Sequence, residues 1–169
     1  LVRQELKRNG DHPLPESVSF STEFAPDFSL PGLSLVSHRE ETVKKHLAIL
    51  EAISILWITG SIGTGKTGLA YLLGKHFETS VFWVDIRDNT EGDFVIMLVR
   101  QLCSHLGIEI QKEFKGTLLR LVSQLPKNTV FILNDFPNVA GKEKLKQGFS
   151  QLLNALVQGG VKVIVTSNY

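Results

Sequence analysis

Cysteine is nearly absent from this chain. Cys103 stands alone among 169 residues, which excludes an internal disulfide framework and any multi-cysteine metal site. Its neighbours Leu102 and Leu106 place it on a helix, where a buried inert thiol is the natural reading. No apolar run approaches the roughly 18 residues needed to span a bilayer. Nor does the opening, Leu1-Val2-Arg3-Gln4, resemble a signal peptide. A surplus of charge is missing too: 18 Lys and Arg stand against 17 Asp and Glu, for a net +1. Composition therefore gives no electrostatic footprint for nucleic acid. What remains is an ordinary globular balance, 43% apolar and 21% charged, at a length suited to one domain with a real core. The lone reduced thiol suits the cytosol, and no membrane partner is indicated.

One segment departs from this plainness. Residues 60–68 read Gly60, Ser61, Ile62, Gly63, Thr64, Gly65, Lys66, Thr67 and Gly68, a full GxxxxGK[ST] pattern. An apolar run at residues 53–59 precedes it as a buried strand. A helix follows, with Leu69, Leu72, Leu73 and Phe77 on one face. Three glycines let the main chain wrap closely around an anion, with successive N–H groups and the positive helix end facing it. In such a loop Lys66 reaches the β- and γ-phosphate oxygens, and the Thr67 hydroxyl ligates Mg²⁺. A mere glycine-rich turn feeding a helix does not need lysine and threonine in those places. The cofactors implied are ATP or ADP with Mg²⁺, and the loop does not separate binding from hydrolysis.

Along the chain, residues 1–35 read as a linker or strap from an upstream region. Pro13, Pro15, Pro26 and Pro31 are scattered there among polar residues, and Phe20, Phe24 and Phe28 recur every fourth position. Residues 36–169 read as the nucleotide-binding domain, incomplete after a fourth strand. Ser37 followed by Glu40 is a capping-box pattern opening a short helix. Further strands fall at 81–85, 129–133 and 161–165, and further helices at 94–106, about 117–125 and 142–157. Near-continuous apolar strands alternating with amphipathic helices imply an α/β sandwich around a parallel sheet covered on both faces. Ligands in such folds sit beyond the carboxyl ends of the strands. Trp57 and Trp83 fall within strands and read as core aromatics rather than base-stacking platforms.

The third strand delivers Asn134 and Asp135 to that edge, the expected place for a second nucleotide-binding motif. The usual arrangement has an acid directly after the apolar run, with a second acid beside it. The amide of Asn134 brings no negative charge to a metal. Asp135 then serves as the base, as the Mg²⁺-associated acid after a one-residue register shift, or simply as a turn or capping residue. One acid in two roles predicts slow or absent hydrolysis. Asn168, just past the fourth strand, is placed to sense the γ-phosphate or its attacking water, or is an ordinary strand-end residue. Arg39 and His38 precede the loop and are placed to line the base or phosphates.

These landmarks resemble the nucleotide-binding domain of the STAND class of P-loop NTPases, especially NB-ARC-like domains. The resemblance rests on residues 36–40 (Val36 and Arg39 included), 60–67, 130–136 and 160–167. It implies an ATP/ADP switch in a multidomain signalling protein of the immune-defence kind. Such a protein works with upstream and downstream domains and self-associates when ATP replaces ADP. In that family Val36 and Arg39 would lie near adenine, Lys66 and Thr67 would hold phosphate and Mg²⁺, and Asp135 would stand in the acidic motif. His38, Asn134 and Asn168 depart from its usual glycine, aspartate and arginine. The chain is also similar to AAA+ ATPases of the origin-recognition type, whose fourth strand ends in asparagine. That likeness implies a nucleotide-dependent assembly on DNA.

Overall fold

The computed structural model describes residues 28–32, 39–77, 80–86 and 93–168. Val36, Ser37, His38, Phe20 and Phe24, singled out from sequence, lie outside them. In chain order the elements are α1 Glu40–Ala52, β1 Ile55–Thr59, α2 Lys66–His76, β2 Val81–Asp85 and α3 Phe94–His105. They continue with α4 Phe114–Gln124, β3 Val130–Phe136, α5 Glu143–Gln158 and β4 Lys162–Ser167. The four strands pair in the order β1-β4-β3-β2, and every pairing is parallel. The fourth strand thus lies between the first and third.

Side chains alternate between the two faces of each strand, and two cores result. On one face Leu56, Ile58, Trp83, Val130, Ile132 and Ile164 pack under α1 and α2 through Leu50, Leu69, Ala70 and Leu73. On the other, Phe82, Val84, Phe131, Leu133, Val163 and Val165 meet Leu98, Leu102, Leu121, Phe149, Leu152 and Leu156 of α3, α4 and α5. The molecule is a three-layer α/β sandwich around a parallel sheet. Cys103 is fully buried in the second core, and burial pushes its thiol pKa up.

Three local readings are corrected. Helix α1 starts at Glu40 with Arg39 at the cap position and no side-chain cap bond, later than a capping box from Ser37 would place it. Strand β3 runs on to Phe136 instead of stopping at Leu133. Trp57 is 46% exposed, in edge contact with Phe136. Among the described strands β1 is an edge, paired with β4 alone, and α3, α4 and α5 cover the sheet's other strands. Phe28, from the segment read as a strap, is buried, and its carbonyl accepts from Trp83 N–H on the outer edge of β2 at 2.9 Å.

Candidate functional site

In a parallel sheet all four strands deliver their last residues to one edge, and β1 leaves it through Gly60. The phosphate loop then turns on two left-handed glycines, Gly63 at φ +84° and Gly65 at φ +82°. Thr64 ties the turn internally, its hydroxyl donating to the Ser61 carbonyl at 2.9 Å. Helix α2 begins at Lys66 with no side-chain cap and no acidic residue in its first turn. The unpaired amides and positive dipole of that end are therefore left to an anion.

Lys66 is only 8% exposed. Its ammonium donates to the Gly60 carbonyl at 2.8 Å and the Ser61 carbonyl at 2.7 Å. Three donors on a compact cation thus place the charge over the loop with one donor beyond those two bonds. Arg39 joins the same site: a Cβ built on Gly65 would lie 2.7 Å from its guanidinium. Gly65 is thus fixed twice, by backbone conformation and by the arginine against it. Thr67 and Gly68 follow in the first turn, both partly buried, while Ser61, Ile62, Gly63 and Thr64 form an exposed tip.

At the same edge lies a row of polar side chains joined by hydrogen bonds. Thr166 of β4 stands beside Ile58 of β1 in register, two residues before Gly60. Its hydroxyl donates to Asn134 Oδ1 at 2.8 Å and accepts from Asp135 N–H at 2.9 Å. Asn134 Nδ2 in turn donates to Asp85 Oδ1 at 2.6 Å. Trp83 Nε1 donates to the same carboxylate oxygen at 3.1 Å. By strand alternation these residues continue the apolar rows packed under α2, so the row sits on the phosphate-loop face.

Asp135 occupies a bulge. Leu133 pairs with Val165 and Phe136 with Ser167, so Asn134 and Asp135 together oppose the single residue Thr166. Such bulges re-aim a side chain. Asp135 adopts φ +55°, a conformation that costs a non-glycine residue and concentrates at functional sites. Asn168 is exposed beyond β4. Sequence reasoning missed Asp85 and the specific part of Thr166. The available signal was that the apolar runs of β2, β3 and β4 each give way to a polar residue, Asp85, Asn134 and Thr166.

For Mg²⁺, the donors present fit an ion carried in on phosphates, which takes one or two protein carboxylates and keeps several waters. Thr67 supplies a hydroxyl in the first turn of α2, and Asp135 a carboxylate at the end of β3. Asn134 is 3% exposed and its oxygen already accepts from Thr166, leaving one lone pair. Among the described residues no group of three His, Cys, Asp or Glu is arranged to hold a metal by itself.

No family model matches the chain. Over 118 residues, 70% of the chain, it is 24% identical to the chromosomal replication initiator protein DnaA of Methylacidiphilum infernorum (isolate V4). That match spans only 24% of the relative's length. A solved structure of the replication initiator DnaA bound to AMPPCP and single-stranded DNA superposes with a TM-score of 0.50 at 20% identity. It covers 86% of this chain and 43% of that one. AMPPCP-bound DnaA from Aquifex aeolicus aligns at a TM-score of 0.45 and 22% identity, over 76% of this chain and 37% of that one.

These findings support the P-loop part of the resemblance and give no support to its finer signalling-class part. Loop, second motif and strand four belong to the shared fold and do not separate its branches. Fold and sequence together describe a P-loop NTPase domain similar to replication-initiator ATPases.

Proposed function

We propose that this domain binds ATP or ADP as the nucleotide-responsive part of an AAA+-type assembly acting on DNA. The observation that carries the nucleotide reading is the loop at residues 60–67, with Lys66 held over it and an uncapped helix end behind it. Main-chain amides and the α2 dipole would receive the phosphates. Lys66 would exchange loop carbonyls for β- and γ-oxygens, and Arg39, against Gly65, would add a second cation at the loop. A Mg²⁺ bound with the nucleotide would neutralise charge between the β- and γ-oxygens. Asp135, re-aimed by its bulge, would act as base, and Asn168, beyond β4, would be the sensor. Position 134 carries no charge, which supports slow hydrolysis.

The DNA-linked reading is supported by the similarity to DnaA and by the asparagine after β4. Self-association and partner domains follow from that reading. The first test is nucleotide affinity by calorimetry. Lys66→Ala is expected to weaken ATP binding about a hundredfold, the effect of losing a charge-assisted phosphate contact of roughly 3 kcal/mol. Unchanged affinity would remove the nucleotide reading. The DNA part is tested by duplex retention against salt, where a phosphate-contacting protein loses affinity steeply.

A further inference from the structure

We infer that Asp85, at the carboxyl end of β2, supplies the acidic charge that position 134 lacks and acts on the nucleotide site through the Asn134 amide. The inference rests on the nucleotide reading above. β2 and β3 are parallel, with Asp85 paired to Asn134 in register, so the two side chains emerge side by side on the phosphate-loop face. Their contact, 2.6 Å from Nδ2 to Oδ1, is a hydrogen bond to a charged acceptor. Two ionised carboxylates could not occupy these positions together. The row has room for one negative charge, and this sequence places it on β2 instead of β3.

The rest of the network fixes that arrangement. Trp83 donates to the same Asp85 oxygen from within the core under α2, which orients the carboxylate. Thr166 donates to Asn134 Oδ1, and a flip of the amide would turn that oxygen onto the Asp85 carboxylate. Asn134 therefore presents a fixed, polarised carboxamide beside the bulge that carries Asp135. Asp85 is a positioning residue: its charge reaches the site through the amide it holds.

The test compares ATP affinity with Mg²⁺ and with EDTA in the wild type, Asp85→Asn, and the exchange Asp85→Asn with Asn134→Asp. Asp85→Asn keeps an oxygen to accept from Trp83 and Asn134, so the network survives without its charge. Expected is a loss of about tenfold in the Mg²⁺-dependent part of the affinity, with the EDTA value unmoved. The exchange should restore the Mg²⁺ effect, which a purely structural role would not do. An unchanged Mg²⁺ effect in Asp85→Asn overturns the inference, as does an equal loss with and without Mg²⁺. If the exchange variant fails to unfold cooperatively, the single variant still decides. A wild type that binds no ATP in either condition refutes the nucleotide reading itself, a separate outcome.

Discussion

Asn134→Asp is the most informative single change, because the expected cost can be worked from the contacts. Nδ2 is replaced by an oxygen facing Asp85 Oδ1 across what is now a 2.6 Å bond. The lost charge-assisted hydrogen bond accounts for about 1.5–3 kcal/mol. Two charges held some 4 Å apart would add roughly 4 kcal/mol at an effective dielectric of 20. The protein escapes the full sum by retaining one proton on the pair. Holding a carboxyl protonated at pH 7, three units above its usual range, costs at most about 4 kcal/mol. The expected destabilisation is therefore about 3–4 kcal/mol near neutral pH.

The pH dependence carries a sign. The folded variant binds more protons than its unfolded chain, so its stability falls as pH rises and the deficit shrinks on acidification. Urea unfolding of variant and wild type at pH 5 and pH 7.5 measures both effects. Adding Asp85→Asn should remove the charge repulsion and its pH dependence, since a carboxylate and a carboxamide again face each other, with the Trp83 bond to that position as the remaining cost. A deficit independent of pH, or one that the second change leaves untouched, would refute the hydrogen-bonded row.

Two further outcomes follow from other parts of the molecule. Gly65→Ala forces a Cβ into a left-handed position and against the Arg39 guanidinium; thermal unfolding should register about 1–2 kcal/mol from the backbone alone, and calorimetry a loss of ATP binding. Cys103 is fully buried, and desolvation raises its thiol pKa above the ordinary thiol value. The unfolded chain therefore releases that proton first, and stability should fall as pH climbs past the unfolded thiol's value. Cys103→Ala should flatten that decline, and thiol reagents should label the native protein only as fast as it opens.

How much of this was legible beforehand depended on the range of the interactions. Strand β2 and helices α3 and α5 fall within a residue or two of their periodic patterns, because an apolar stripe must be buried whatever covers it. The phosphate loop was readable for the same reason: its chemistry is contained in eight consecutive residues. Strand β3 was cut short at Asn134, since a polar residue usually marks a strand's exit into water. Here its partners come from Asp85, 49 positions earlier, and Thr166, 32 later, and they allow the amide to be buried. Trp57 failed in the opposite sense, because alternation gives a strand's two faces but not its place in the sheet.

The relocated charge shows what strand order adds to a motif. Read linearly, Asn134 is a defect in an acidic pair, a loss of half of the motif's charge. With β2 beside β3, the same amide is the residue that a neighbouring Asp85 requires, and an acid at position 134 would be the defect. A motif scan records absence at one position, whereas the physical constraint acts on the pair. The sequence contains both residues but not the fact that they touch. The acidic charge of this site is therefore a property of the sheet edge, shared by β2 and β3, and a substitution at either position has to be judged by what it does to the other.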